Sequence, residues 1–102
     1  MPDLIVLYWR DMPSQVIARA GRKTAKRELP KRFMEAIDAA AMRADATDTD
    51  TYLQGWRRGD PSPCGDDLEK VAEEAVATLD RTYDTARLQR LIASGGKEAA
   101  GG

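Results

Sequence analysis

Between Arg19 and Arg32 the chain carries seven cations, Arg19, Arg22, Lys23, Lys26, Arg27, Lys31 and Arg32, against one acid, Glu28, in a protein whose net charge is only -1. Cations at that density bind anions: the phosphates of a nucleic acid or cofactor, or the carboxylates of an acidic protein surface. The competing account is a solvated hairpin end running into an exposed helix start, with nothing bound. Lys31 and Arg32 speak against it. They fall in a first helical turn, where positive charge opposes the macrodipole at a cost of about a few tenths of a kcal/mol.

Other chemistry is thinly supplied. The chain has no histidine, which removes the commonest general base, the commonest metal ligand and every Ser-His or Cys-His nucleophile pair. A single cysteine, Cys64, excludes an internal disulfide or a multi-thiolate zinc site within one chain. It stands just before a helix start, which favours a thiolate, but Asp66 and Asp67 act in the opposite direction. Asp45, Asp48, Asp50 and Asp60 lack the EF-hand spacing, its central Gly and its terminal Glu, and read as caps and loop residues. An enzyme here would have to run on carboxylates, Lys, Tyr or a borrowed cofactor. The expectation is therefore a non-catalytic protein with no metal and no cofactor. Tyr8, Trp9 and Trp56 have two readings, as sheet packing or as rings that stack on a ligand. No RNP, KH or helix-turn-helix pattern accompanies them, so nucleic acid is the weaker ligand.

The elements that must position these residues are readable in outline. "LIVLYW", Leu4 to Trp9, is a β-branched and aromatic run suited to a well-covered strand. "RDMPS" supplies a turn, and "QVIARA", Gln15 to Ala20, matches the first run in length, predicting a hairpin with a loop of about five residues that Gly21 ends. Pro30 belongs in the first turn of a helix running to about Ala44, with Phe33, Ile37, Ala40, Ala41 and Ala44 on one stripe. After a polar loop, Asp45 to Thr51, the stretch Tyr52 to Arg58 reads as a short third strand, although its aromatic spacing also fits a helix. "GDPSPCG" is a connector. From Asp66 a helix carries Leu68, Val71, Ala72, Ala75, Val76, Leu79 and Tyr83 on one face. Leu88, Leu91 and Ile92 fall out of phase with that face. Either the helix breaks at "YDT", with Asp84 as a new N-cap, or these three side chains form a second apolar contact for a partner.

With 102 residues, 42% hydrophobic and 32% charged, the chain has the composition of one soluble domain with a modest core. The fold expected is a small two-layer α+β domain over residues 1–94, followed by a flexible tail over 95–102. Its longest apolar run is far short of the roughly 20 residues of a spanning helix, and no basic start leads into a signal-peptide core. The expected location is the cytoplasm, with no membrane contact.

The segments "YWRDMP", "GRKTAKRELPKRF", "AIDAAAM" and "YLQGW" together resemble a family of small bacterial proteins labelled "virulence factor", related to a domain of conserved virulence factor C. The likeness runs from Leu4 to about Tyr83. It names a phenotype and carries over no catalytic residue. The resemblance also implies a genomic setting near folate- and corrinoid-dependent one-carbon enzymes, hence an accessory subunit. The leading expectation is an interaction module that meets an acidic protein partner through Arg19, Arg22, Lys23, Lys26, Arg27, Lys31 and Arg32. The alternative is an anionic-cofactor or nucleotide binder on the same edge, with aromatic stacking.

Overall fold

The computed structural model describes residues 2–97 and shows nine elements: β1 (Asp3–Trp9), β2 (Met12–Ala20), β3 (Lys23–Glu28), α1 (Lys31–Arg43), α2 (Thr49–Gln54), β4 (Trp56–Arg58), β5 (Ser62–Pro63), α3 (Leu68–Thr82) and α4 (Thr85–Ala93). The fold is α+β. One antiparallel sheet runs in the order β3-β2-β1-β4, and β5 joins it on β1.

The first hairpin is tighter than the sequence implies. Its loop is only Arg10 and Asp11, because Trp9 pairs with Met12. Leu7 pairs with Gln15 but Tyr8 with Pro13, so Ser14 is an extra residue on β2. That bulge is what lets Pro13 sit inside a strand. Arg10 takes a left-handed φ of 55°, unfavourable for a side chain of its size. It is held there by Arg10 N–H donating to Gly55 O at 2.7 Å, Asp11 N–H to Gly96 O at 2.8 Å, and the Arg10 guanidinium to Gly95 O at 2.9 Å.

A second hairpin was not expected. The basic stretch is itself a strand, with Ala20 paired to Lys23 across Gly21 and Arg22. Gly21 supplies the positive φ, 60°, at the first loop position, as a type II′ turn requires. Such a run of polar residues hides its strand character because only Ala25 of the six is buried.

Two hydrophobic clusters hold the molecule together. Leu4, Val6, Val16, Ala18, Ala20 and Ala25 line one face of the sheet, against Leu68, Ala72 and their neighbours on α3. The other cluster joins Trp9 and Met12 at the hairpin end to Phe33, Ile37 and Ala40 of α1, and to Tyr83, Leu88 and Leu91. Pro30 is the N-cap of α1 rather than part of its first turn. The expected strand Tyr52–Arg58 is corrected in its first half: Tyr52 lies on α2, capped by Asp48, and only Trp56–Arg58 pairs with β1. Gly55 divides the two because a side chain there would meet the buried Trp9 ring, its Cβ falling 2.4 Å from Nε1.

The helix break is where the phase of the apolar residues puts it. α3 ends at Thr82, and the Asp84 carboxylate accepts the Arg87 N–H at 2.9 Å to start α4. This turns Leu88 and Leu91 inward, to 5% and 1% exposure, with Ile92 half-buried beside them. Leu88 and Leu91 are core residues packed on α1. The expectation of an apolar partner contact is thereby corrected for these two, while Ile92 lines a surface cleft with Arg32 and Gln89. The fold also extends past Ser94: Gly95 and Gly96 are buried, so the expected tail does not begin at 95. Its remainder, residues 98–102, lies outside the described residues.

Candidate functional site

The seven cations separate into groups once the second hairpin forms. Strand alternation turns Lys23, Ala25 and Arg27 toward the face covered by α3, and Thr24, Lys26 and Glu28 toward the opposite face. Arg27 bonds Glu69 in the first turn of α3. Lys23 borders a cleft that it shares with Asp66, Asp67 and Glu69. Arg32 does more. Its Nη2 donates to the Asp80 carboxylate at 2.6 Å and to the carbonyls of Asp80 and Tyr83 at 2.8 and 2.9 Å.

Those two carbonyls belong to the end of α3, where the last turn leaves acceptors without helical partners and the dipole favours a cation. A charge that opposes the dipole of α1 therefore stabilises the terminus of α3. Nη1 of the same guanidinium is buried with no acceptor, so the gain is partial. Replacing Arg32 by Ala should cost about 1–2 kcal/mol in urea unfolding. Arg27→Ala should cost under about 0.5 kcal/mol, because its ion pair with Glu69 is largely exposed. Equal losses for the two variants would refute this division.

Arg19, Arg22, Lys23, Lys26 and Lys31 form no ion pair among the described residues. Register places Arg19 and Lys26 on the sheet face opposite α3, together with Ile5 of β1 and Ile17 of β2. Ile5 and Ile17 are buried but belong to neither cluster. Arg58, paired with Leu7, joins the same face from β4. Arg58 was not among the expected cations; its signal lay in the alternation of "WRR", legible only once β4 is paired with β1.

The stacking candidates are placed differently. Trp9 has no exposed surface; its ring stacks on Tyr52 at 5.8 Å and its Nε1–H donates to Tyr52 O at 2.9 Å. It is corrected from a possible ligand contact to the centre of the core. The Arg57 guanidinium lies 4.5 Å from the Tyr8 ring centre, while Trp56 meets Tyr52 edge-on and packs against the core. No group of three or more Cys, Asp or Glu is placed to hold a metal ion among the described residues.

Two ionisations are raised. Burial, then the carboxylates of Asp3 and Asp66, push the Cys64 thiol above its ordinary 9.0, which opposes nucleophilic use. Burial, then Asp38, push the Tyr52 phenol above its ordinary 10.0, partly offset by a hydrogen bond with Trp56. For both groups the folded state keeps the proton longer than the unfolded one. Their contribution to stability is complete below pH 9.0 for Cys64 and 10.0 for Tyr52, and is lost as pH rises through the folded values. Urea midpoints should therefore fall as pH rises above 9.0, and Cys64→Ser should flatten the first part of that fall. A midpoint that stays level or rises would contradict it.

The model of the virulence factor family matches residues 7–92, from the end of β1 to α4. The chain belongs to the virulence factor family. That match takes in both hairpin turns, the basic strand, the Arg32–Asp80 pair and the α3–α4 break. No match was found among curated proteins or among solved structures. Membership in the virulence factor family describes a phenotype and specifies no reaction. No helix among the described residues is long and apolar enough to cross a membrane.

Proposed function

We propose that the protein is a non-catalytic interaction module, an accessory subunit of a larger cytoplasmic enzyme system. It docks on an acidic protein partner through β3 and the turn before it. The observation that carries this reading is the division of the cations. Arg27 and Arg32 are engaged within the molecule, whereas Arg19, Arg22, Lys23, Lys26 and Lys31 have no ion pair among the described residues. Arg22, Lys23 and Lys26 are exposed on one turn and one edge strand. A protein that used this charge only for solubility has no reason to concentrate it where the rest of its surface is acidic. The resemblance to neighbours of folate- and corrinoid-dependent enzymes makes an enzyme of one-carbon chemistry the partner class to try first.

The alternative, an anionic cofactor stacked on an aromatic ring, has less to stack on: Trp9 is enclosed, Tyr8 lies under Arg57, and Trp56 is half-buried with its edge on Tyr52. Tryptophan fluorescence should accordingly stay unmoved on titration with folates or nucleotides. The deciding experiment is affinity purification from the native cytoplasm at low and at moderate salt, run in parallel on an Arg22→Glu/Lys26→Glu variant. A stoichiometric partner lost both on raising salt and in the variant supports the reading. A partner retained equally by the variant, or recovery of nucleic acid in its place, overturns it.

A further inference from the structure

Resting on that reading, we infer how the partner is held: β3 accepts an extended acidic segment as an additional strand of the sheet. β3 is the terminal strand of the order β3-β2-β1-β4. Leu29 N–H donates to Ser14 O at 3.0 Å, in register with the Gln15–Glu28 pair. Backbone groups of alternate residues point to opposite edges, so Lys23, Ala25, Arg27 and Leu29 face β2. Thr24, Lys26 and Glu28 then turn their N–H and C=O groups away from the sheet, and all three residues are exposed. Among the described residues the Arg27 guanidinium meets that row, donating to Lys26 O.

The other side of the sheet offers nothing comparable. The outer edge of β1 is taken by β4, Gly59, β5 and Cys64 in succession. β4 and β5 are three and two residues long and flanked or interrupted by Pro61 and Pro63, which blunt an edge. β3 is six residues without a proline or a bulge, long enough to template a partner strand.

Charge selects the occupant. A second copy paired edge to edge would set Lys23, Lys26 and Arg27 against the same cations, which opposes self-association. An added strand would lie with alternate side chains on the two faces. On one it neighbours Lys26, between Thr24 and Glu28, with Arg22 at the turn and Arg19 on the next strand. On the other it neighbours Ala25 and Leu68, where Lys23 and Arg27 are set against the carboxylates of Asp66, Asp67 and Glu69. The matching segment therefore has acidic residues at every second position and small apolar residues between them.

The test uses the full chain and three synthetic octapeptides. One alternates Asp and Val, one has the same composition with its Asp residues in a block, and one is the alternating peptide N-methylated on two adjacent central amides, which blocks both edges. Fluorescence anisotropy should show the alternating peptide binding about tenfold or more tighter than the other two. Hydrogen exchange should slow at Thr24, Lys26 and Glu28, the amides turned outward. Equal binding of all three peptides, with those amides unaffected, overturns strand addition and leaves charge docking standing. Failure of every peptide and of polyglutamate to bind at low salt overturns both.

Discussion

Trp9→Ala should cost about 3–5 kcal/mol of unfolding free energy, a large part of the roughly 5–15 kcal/mol typical of a domain. Trp9 is fully buried, and it is the point at which separate elements meet. It stacks on Tyr52 of α2 and pairs with Trp56 of β4. Its Nε1–H satisfies the Tyr52 carbonyl. Its ring edge takes the place a Cβ would occupy at both Gly55 and Gly96. Truncation removes the apolar area and the hydrogen bond and leaves a cavity among residues fixed by sheet and helix. Trp9→Phe keeps a ring but loses the donor and should cost about 2 kcal/mol. Urea unfolding followed by far-UV circular dichroism reads both, and a loss below about 1 kcal/mol for Trp9→Ala would show that this ring is not the hub.

Gly96→Ala should be nearly as damaging, although the residue follows the last helix. Gly96 has a φ of 92° and is buried, its N–H donates to Leu91 O and its carbonyl accepts Asp11 N–H. A Cβ there would lie 2.8 Å from Trp9 Cζ3 and 3.1 Å from Cε3. Backbone strain of about 1–2 kcal/mol adds to overpacking of about 1–3 kcal/mol, for a total of about 2–5 kcal/mol. Gly21→Ala supplies the control. Its φ of 60° is also left-handed, but no atom lies within 4 Å of the added methyl. The control should lose only about 1–2 kcal/mol. The difference between the two variants measures the packing of Gly96 on Trp9; matching losses would mean that strain alone accounts for both.

Both effects bear on the candidate edge. Arg10 and Asp11, the tight loop of the first hairpin, are bonded to Gly55, Gly95 and Gly96. Trp9 and Gly96 therefore help to set the geometry of the hairpin on which β3 is built. A variant that loosens them should weaken partner binding along with stability. Charge reversal at Arg22 and Lys26 should weaken binding with the urea midpoint unchanged within about 0.5 kcal/mol.

Local signals in the chain were enough for the α+β class, for β1 and most of β2, for the apolar stripe of α1, and for the break at Asp84. Each of these rests on interactions between near neighbours: periodic burial, a cap, a turn residue. The break was legible because Leu88, Leu91 and Ile92 cannot share a face with Leu68 and Ala72 on one straight helix. Tertiary structure decided the rest. β3 is a strand because β2 offers it an edge, and a six-residue segment with one buried side chain carries too little pattern to announce itself. Tyr52 and Trp56 are neighbours in sequence that fall on different elements, because Gly55 must pass against Trp9. The sequence by itself determined that seven cations are concentrated in one stretch and that no histidine serves them. Only the fold decided that Arg27 and Arg32 turn inward to α3 while Lys26 and Arg22 remain on the surface. A side chain's partner depends on residues 42 and 48 positions away, and that separation leaves no trace in local periodicity.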